Sequence, residues 1–348
     1  MMGTQHLKQS LGALAGFWLH TQGLKGQTLV FTFHRVLPLA EFNACQFQRS
    51  LVVSDRSFEI FLRYISAHFD VITMSRFIET RNDLLGHHPR GQNARPQALI
   101  TFDDGWRDNY DVALPLLTKY ALPATVFLST DYIESDLGFW WQTLGDFLSS
   151  SRFDKNTQDA LKKIIADILQ TDRVVPDCFS DSEHFIETLK RDHYTKIAPL
   201  TAALFEHRHS QAKNLCLTWA HCETMSRHGI EFGSHTCGHP RLSLLSHEAR
   251  DHELRESKHC LTQHRLNYVN ALCYPYGDYD KKTQQQAAEF YHMGFSTRAG
   301  LIKGPDTNWF SLPRIHVSDE LAKEPSRLNY RILRAAWSRP RLVDRSNA

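Results

Sequence analysis

The chain has little surplus of either charge. Its 348 residues carry 40 Lys and Arg against 38 Asp and Glu, a formal net charge of +2. That balance removes any bulk electrostatic drive toward nucleic acid, so no nucleic-acid partner is expected and a charged partner must be recognised locally. Cysteine pairing is missing too. The seven cysteines, Cys45, Cys178, Cys216, Cys222, Cys237, Cys260 and Cys273, are odd in number and none forms a C-x-x-C, which favours reduced thiols and a cytoplasmic setting over a disulfide framework. No apolar run is long enough to span a bilayer. The most apolar stretch, Leu11 to Leu19, lacks a clear small-residue cleavage site and reads as an amphipathic or packing helix, with a signal segment as the alternative. Repeats and low-complexity tracts are absent as well. A composition of 42% hydrophobic and 22% charged residues suits a globular protein with one large core or two modest ones.

What is present is an alternation of buried-strand and helical patterns. Gln27 to Val36 is a β-branched and aromatic run that predicts a strand ending in His34 and Arg35. Helical spacing follows at Phe58, Phe61, Leu62, Tyr64 and Ile65, then a short strand over Phe69 to Thr73, and a Gly/Pro/Asn-rich surface loop from Gly86 to Pro96. Ala98 to Gly105 predicts a second buried strand, Tyr110 to Lys119 a helix, and Pro123 to Leu128 a third strand. This β-α-β rhythm belongs to a parallel sheet, as a barrel or an open α/β sheet. It stops between about 149 and 213, where Leu161, Ile164, Ile165, Ile168 and Leu169 form a helical stripe and Ser182 to Arg191 a second helix. We read this as a helical insertion, a packing subdomain in preference to a lid. The rhythm resumes with a helix from Trp219 to His228, the strand Gly229 to His235, a helix from Glu248 to His264, and the strand Ala271 to Gly277.

Chemistry-bearing residues fall at the carboxyl ends of these strands, where the loops of parallel α/β folds converge. Asp103 and Asp104 end one strand and His235 ends another, with His239 four residues on. A D-D-G triplet in isolation reads as a turn, and a pair of histidines at that spacing arises by chance in a chain with 20 of them. Together they differ: adjacent buried carboxylates repel one another unless a cation lies nearby, and two imidazoles with one carboxylate make a three-ligand set with open positions. The inner Cys237 reads as a packing thiol, since its side chain should point away from the two histidines.

T-F-D-D-G at Thr101 to Gly105, followed by H-T-C-G-H at His235 to His239, resembles the first two motifs of the polysaccharide deacetylases, the carbohydrate esterase family 4 or NodB-homology group. F-H-R-V near the N-terminus, Trp140-Trp141, A-L-C-Y-P-Y-G-D-Y-D and L-P-R-I-H-V are similar to the branch acting in exopolysaccharide synthesis, and the likeness covers about residues 28 to 317. The resemblance implies a distorted (β/α) barrel over residues 27–320 carrying the insertion, preceded by a helical segment over 1–26 and followed by a basic helix or tail over 321–348. It implies a divalent metal ion on Asp104, His235 and His239, Zn²⁺ first, with Co²⁺, Ni²⁺, Fe²⁺ or Mn²⁺ as alternatives. Asp103 becomes the general base, His316 the acid, and Pro275 with the backbone N–H of Tyr276 the oxyanion and substrate contacts. His34 is weighed between a substrate contact and a core histidine.

Two features depart from the family pattern: the last motif, commonly L-x-H, stands in a different local context in L-P-R-I-H-V around His316, and an arginine is missing. Many members carry, where this chain has Cys273, an arginine that orients the catalytic aspartate. Arg314, two residues before His316, is the expected substitute, because strand alternation aims both at one face. Aromatic rings cover the apolar faces of sugars, and Trp106, Trp140, Trp141, Tyr274, Tyr276 and Trp309 fall near the strand ends; Trp106 is the rim candidate, with core packing the competing reading for Trp141 and Trp309.

The resemblance thus implies a hydrolase removing N-acetyl groups from an amino sugar in a polysaccharide or lipid-linked precursor, its partner being an acetylated glycan. An O-acetyl esterase with the same centre is the nearest rival, and a non-catalytic carbohydrate-binding protein the rival of another class. A phosphatase built on an aspartyl nucleophile would want D-x-D, which is not here. The C-terminal arginines Arg327, Arg331, Arg334, Arg339 and Arg341 among Leu328, Ile332, Leu333 and Trp337 describe either a solvated helix or a basic amphipathic one in peripheral contact with a membrane. Oligomeric state has no signature in the sequence.

Overall fold

Strand Thr28–Phe33 (β1) is buried at all of its positions because it has a neighbour on each side and a hydrophobic layer on each face. The structure is a computed structural model describing residues 24, 26–45, 47–80, 95–135, 138–149, 153–170, 177–205, 215–302 and 307–337. Its strands are β1, Arg35–Leu37 (β2), Val52–Ser54 (β3), Asp70–Val71 (β4), Gln97–Asp104 (β5), Ala124–Leu128 (β6), Ile230–Ser234 (β7), Tyr268–Cys273 (β8), Met293–Phe295 (β9) and Ile315–His316 (β10). The main sheet runs β10-β1-β5-β6-β7-β8-β9, every pair parallel, with β4 beside the start of β5.

Alternate residues of each strand enter different cores. Phe31, Phe33, Ile100, Phe102, Val126 and Phe232 face outward onto a layer that includes the helix Asp55–His68. Val30, Leu99, Phe127, Ala271, Cys273 and Phe295 form a separate, inner cluster. The segment from Leu312 to His316 touches both ends of the sheet, with Leu312 bridged to Phe295 and Ile315 paired with Phe31. The sheet therefore curls into the distorted (β/α) barrel, and the strand ends from Asp103, Ser234, Cys273 and His316 gather at one mouth.

The run from Gln27 to Val36 does not stay one strand. The main sheet loses it after Phe33, because the Arg35 guanidinium pairs with Asp108 at 2.9 Å and the Val36 N–H donates to the same carboxylate at 2.9 Å. The chain is drawn outward to pair with β3, and His34 is left at the mouth. The helical layer also begins earlier than its stripe suggests, at Trp140–Ser149, and continues through Lys155–Leu169, Ser182–Asp192 and Ile197–Phe205. These helices share one core with Trp106 and Phe139, so they are anchored directly behind the D-D-G turn.

The C-terminal helix Pro325–Trp337 turns Leu328, Ile332, Ala335 and Ala336 into the outer barrel core, and the Tyr64 hydroxyl donates to Asn329. Of the apolar residues named for a membrane face, Leu328 and Ile332 are thus taken up by the protein itself, while Trp337 is 73% exposed. Among the described residues no helix is long and apolar enough to cross a membrane. The segment Leu11 to Leu19, the loop from Gly86 to Ala94, and Arg339 and Arg341 lie outside the described residues.

Candidate active site

The end of β5 turns sharply so that both carboxylates face the mouth. Asp104 has φ 77° and Gly105 φ 102°, and a Cβ on Gly105 would come within 2.9 Å of Leu128 Cδ2. A side chain at 105 would therefore be strained twice, which explains the glycine after the two aspartates. Asp103 and Asp104 are 2% and 3% exposed.

The two histidines arrive on a pinned loop rather than a helix. Thr236 and His239 have positive φ, the Cys237 and Gly238 N–H groups donate to one Glu253 oxygen, and the His239 N–H donates to Thr236 Oγ1. In this conformation His235 Nε2 lies 3.5 Å and His239 Nε2 3.4 Å from Asp104 Oδ1. The three donors lie within 4.8 Å of one another and belong to buried residues. Cys237 points away, its thiol 3.7 Å from the Glu253 carbonyl.

The fit of this triangle to a metal ion can be tested on its outer hydrogen bonds. His235 Nδ1 is 2.8 Å from the Cys273 carbonyl, which can only accept, so Nδ1 carries the proton and Nε2 offers its lone pair to the triangle. His239 Nδ1 is 3.0 Å from the Tyr276 hydroxyl, again leaving Nε2 inward. Asp104 Oδ2 accepts from Trp106 Nε1 at 2.8 Å, which leaves Oδ1 toward the histidines. Three donors, each fixed by an outer partner and aimed at one point, fit a divalent ion.

Asp103 lies beside that triangle, within 4.8 Å of a His235 ring nitrogen, and is held by partners of its own. Arg314, 1% exposed, donates from Nη1 and Nη2 to its two oxygens at 2.7 Å each, and from Nη1 to Thr32 Oγ1 at 3.0 Å. Burial alone pushes the Asp103 carboxyl up, but the Arg314 charge and hydrogen bonds, with His235 and His34 nearby, outweigh it and hold the pKa at about 2. Cys273 stands beside the pair with its thiol 3.6 Å from Asp103 Oδ2, and the guanidinium comes from the segment between β9 and β10, its Nε donating to the Ser296 carbonyl at 3.0 Å.

Several expected residues are placed differently from the sequence reading. Trp106 is not on a rim: it is 1% exposed, under the Arg35 guanidinium and against Phe139, and its indole serves Asp104. His316 does not reach the carboxylates. Its Nε2 is 3.0 Å from the Ser50 carbonyl and its ring lies behind that of His34, 5.8 Å between centroids. Burial, then the charge of His34, lowers its pKa to about 4. The imidazole that faces Asp103 is His34, whose Nε2 is 3.9 Å from Oδ2. Tyr274 and Trp309 belong to core clusters. Pro275 is buried in the turn that gives Tyr276 its φ of 59°. Trp141 packs on the His239 ring at 4.8 Å.

Sequence reasoning missed the Tyr276 hydroxyl as partner of His239, and it missed Lys190 and Arg241, both of which lie against the Tyr276 ring. Lys190 left one trace in the sequence, a lysine one turn after Ile186 on an otherwise apolar helix face.

Comparison with known proteins gives the family and the fold. The family model described as polysaccharide deacetylase matches residues 90–294. A putative polysaccharide deacetylase YxkH of Bacillus subtilis is 24% identical over 221 residues, 63% of this chain and 51% of that protein. The chain thus spans about half the length of that relative. The poly-beta-1,6-N-acetyl-D-glucosamine N-deacetylase of Staphylococcus epidermidis is 22% identical over 305 residues, 85% of this chain and 81% of that one. Among solved structures, the Streptococcus pyogenes deacetylase PplD in complex with acetate aligns at TM-score 0.56 and 20% identity, covering 90% of this chain and all of that one, a likeness of fold.

Proposed function

The chain belongs to the polysaccharide deacetylase family, and from that premise we propose that it hydrolyses N-acetyl groups of amino sugars in a polysaccharide or lipid-linked glycan. The observation that carries this reading is the separation of two adjacent carboxylates into different tasks: Asp104 faces two imidazole lone pairs, and Asp103 is clamped by Arg314 with its charge intact. Asp104, His235 and His239 are the residues that would hold the divalent ion, Zn²⁺ first by its donor set. Such an ion supplies Lewis acidity, polarising the acetyl carbonyl and making water a competent nucleophile near neutral pH.

The chain's own groups carry the protons. Asp103, ionised at any physiological pH, accepts a proton from the attacking water, and Arg314 keeps its carboxylate oriented while it does so. The Tyr276 N–H donates to the carbonyl oxygen as negative charge grows on it. When the C–N bond breaks, the leaving nitrogen takes a proton from an acid and the products are acetate and a free amine. His34 replaces His316 in this last role, since its Nε2 opens to Asp103 while that of His316 is taken by Ser50.

The same centre can cleave an O-acetyl ester, so the decisive test is mass spectrometry of a panel of N- and O-acetylated oligosaccharides after incubation with metal-loaded protein, with and without a chelator. Chelator-sensitive acetate release from the N-acetylated members is the expected result. Intact N-acetyl groups across the panel would overturn the assignment, and release from O-acetylated members alone would transfer it to the esterase.

A further inference from the structure

Lys190 occupies a position that a lysine rarely takes. It lies on the helix Ser182–Asp192 next to the buried Phe185, Ile186 and Leu189 and is itself 4% exposed. Its Nζ is 5.6 Å from the ring centre of Trp141 and 5.2 Å from that of Tyr276. Both rings rest against His239, at 4.8 and 4.6 Å between centroids. An ammonium from the helical layer therefore stands beside the proposed metal triangle. Its ion-pair partner, Glu187 at 2.8 Å, has a half-exposed side chain.

A second cation shares the ring. Arg241, two residues past His239, places its guanidinium carbon 4.5 Å from the Tyr276 ring centre, and its buried Nε has no hydrogen-bond partner among the described residues. Burial lowers the Lys190 pKa, Glu187 and Asp104 pull it back, and Arg241 lowers it further. Two like charges are thus held near one aromatic ring at a site that also attracts a divalent cation. Burying cations together is costly unless an anion completes them, and a buried donor left unmade carries its own desolvation penalty. Arg241 and Tyr276 are only partly buried, which leaves that side of the pair open to solvent.

We propose that Lys190 and Arg241 form an anion subsite next to the reaction centre, so that the glycan this protein deacetylates carries a carboxylate or phosphoryl group close to its acetamido sugar. This rests on the deacetylase reading and narrows its substrate class from acetylated glycans in general to acidic ones. Tyr276 forms the wall between the subsite and the triangle: its ring meets the two cations and its hydroxyl meets His239.

The test uses three N-acetylhexosamine oligosaccharides of equal length: a neutral one, one alternating with a uronic acid, and one bearing a phosphate. Metal-loaded protein is expected to deacetylate at least one of the two acidic members about tenfold or more faster in kcat/KM than the neutral one, and the favoured member identifies the anion. Arg241→Gln and Lys190→Met should each shrink that ratio toward one, while Arg241→Lys and Lys190→Arg keep most of it. Arg241, only partly buried, serves as the readout if Lys190→Met fails to fold. Equal or faster turnover of the neutral oligosaccharide, or an acidic preference that survives Arg241→Gln, would overturn the subsite while leaving the deacetylase reading intact. If no acetate is released from any member, calorimetry of the same three ligands with the Asp103→Asn protein still decides: tighter binding of an acidic member, lost in Asp103→Asn/Arg241→Gln, upholds the anion subsite, and equal binding refutes it.

Discussion

Arg314 and Asp103, separated by 211 positions in sequence, meet through two parallel hydrogen bonds of 2.7 Å from the guanidinium fork to the carboxylate. Each is almost fully buried, so the pair excludes water and fixes the plane of the carboxylate beside Asp104, the proposed metal ligand. Arg314→Lys keeps the charge and loses the fork, and its turnover is expected to fall by about 10- to 100-fold with metal content unchanged. Arg314→Ala should in addition destabilise the fold by about 3–5 kcal/mol, because it leaves Asp103 buried without its cation. Wild-type kcat in a folded Arg314→Lys protein would remove the orienting role.

The proposed proton donor is His34, and a pair of substitutions separates it from His316. His34→Asn should lower kcat by about 10²- to 10⁴-fold, the usual range for losing a general acid. His316→Asn, which removes a ring bonded to the Ser50 carbonyl, should lower it far less. Steady-state kinetics on one N-acetylated substrate decides between them, and the reverse order of effects would return the role to His316.

Metal affinity should depend on groups outside the triangle. Tyr276→Phe removes the hydroxyl at His239 Nδ1 and should weaken metal binding by about 10- to 100-fold, measured by competition with a chromogenic chelator. His235→Ala with His239→Ala should abolish stoichiometric metal altogether. Full metal occupancy of that double variant by elemental analysis would show that the ion sits elsewhere.

Acid should weaken the fold partly through His316. Its folded pKa of about 4 lies below the ordinary value of 6.5, so the unfolded chain binds the extra proton between those limits. The stability concerned is present above pH 6.5 and is lost as the pH falls toward 4, with a slope of up to about 1.4 kcal/mol per pH unit for this one site. Denaturant midpoints for His316→Asn should therefore change less between pH 6.5 and 4 than those of the wild type. Parallel profiles would refute the assignment.

Gly105→Ala tests the turn that separates the two carboxylates. Its φ of 102° and the 2.9 Å approach to Leu128 should cost about 1–3 kcal/mol and shift Asp104 off its ligand position. Lower thermal stability together with weaker metal binding is expected. A variant as stable and as metal-loaded as the wild type would mean that the turn tolerates a side chain.

Much of this protein is readable along the chain. The strands over Gln97 to Asp104 and Ala124 to Leu128 follow from apolar runs bounded by turn residues. His235 and His239 are legible as a pair because their spacing is local, and Asp104 joins them in the sequence only through the resemblance of the two motifs. What the sequence did not determine depends on contacts between distant segments. His34 and His316 both end neighbouring strands of the sheet, and periodicity is blind to which of them opens toward Asp103; the outward pull of Asp108 on Arg35 and Val36 decides it. Trp106 follows the D-D-G turn whether it lies on a rim or in a core, and the helices packed on Phe139 put it in the core. Lys190 and Arg241 belong to elements with the strand and helices between Ser182 and Arg241 dividing them, and only packing against Tyr276 brings their charges beside the same ring. Local pattern specifies which groups are available, and the closing of the barrel, driven by burial on both faces of the sheet, specifies which of them meet.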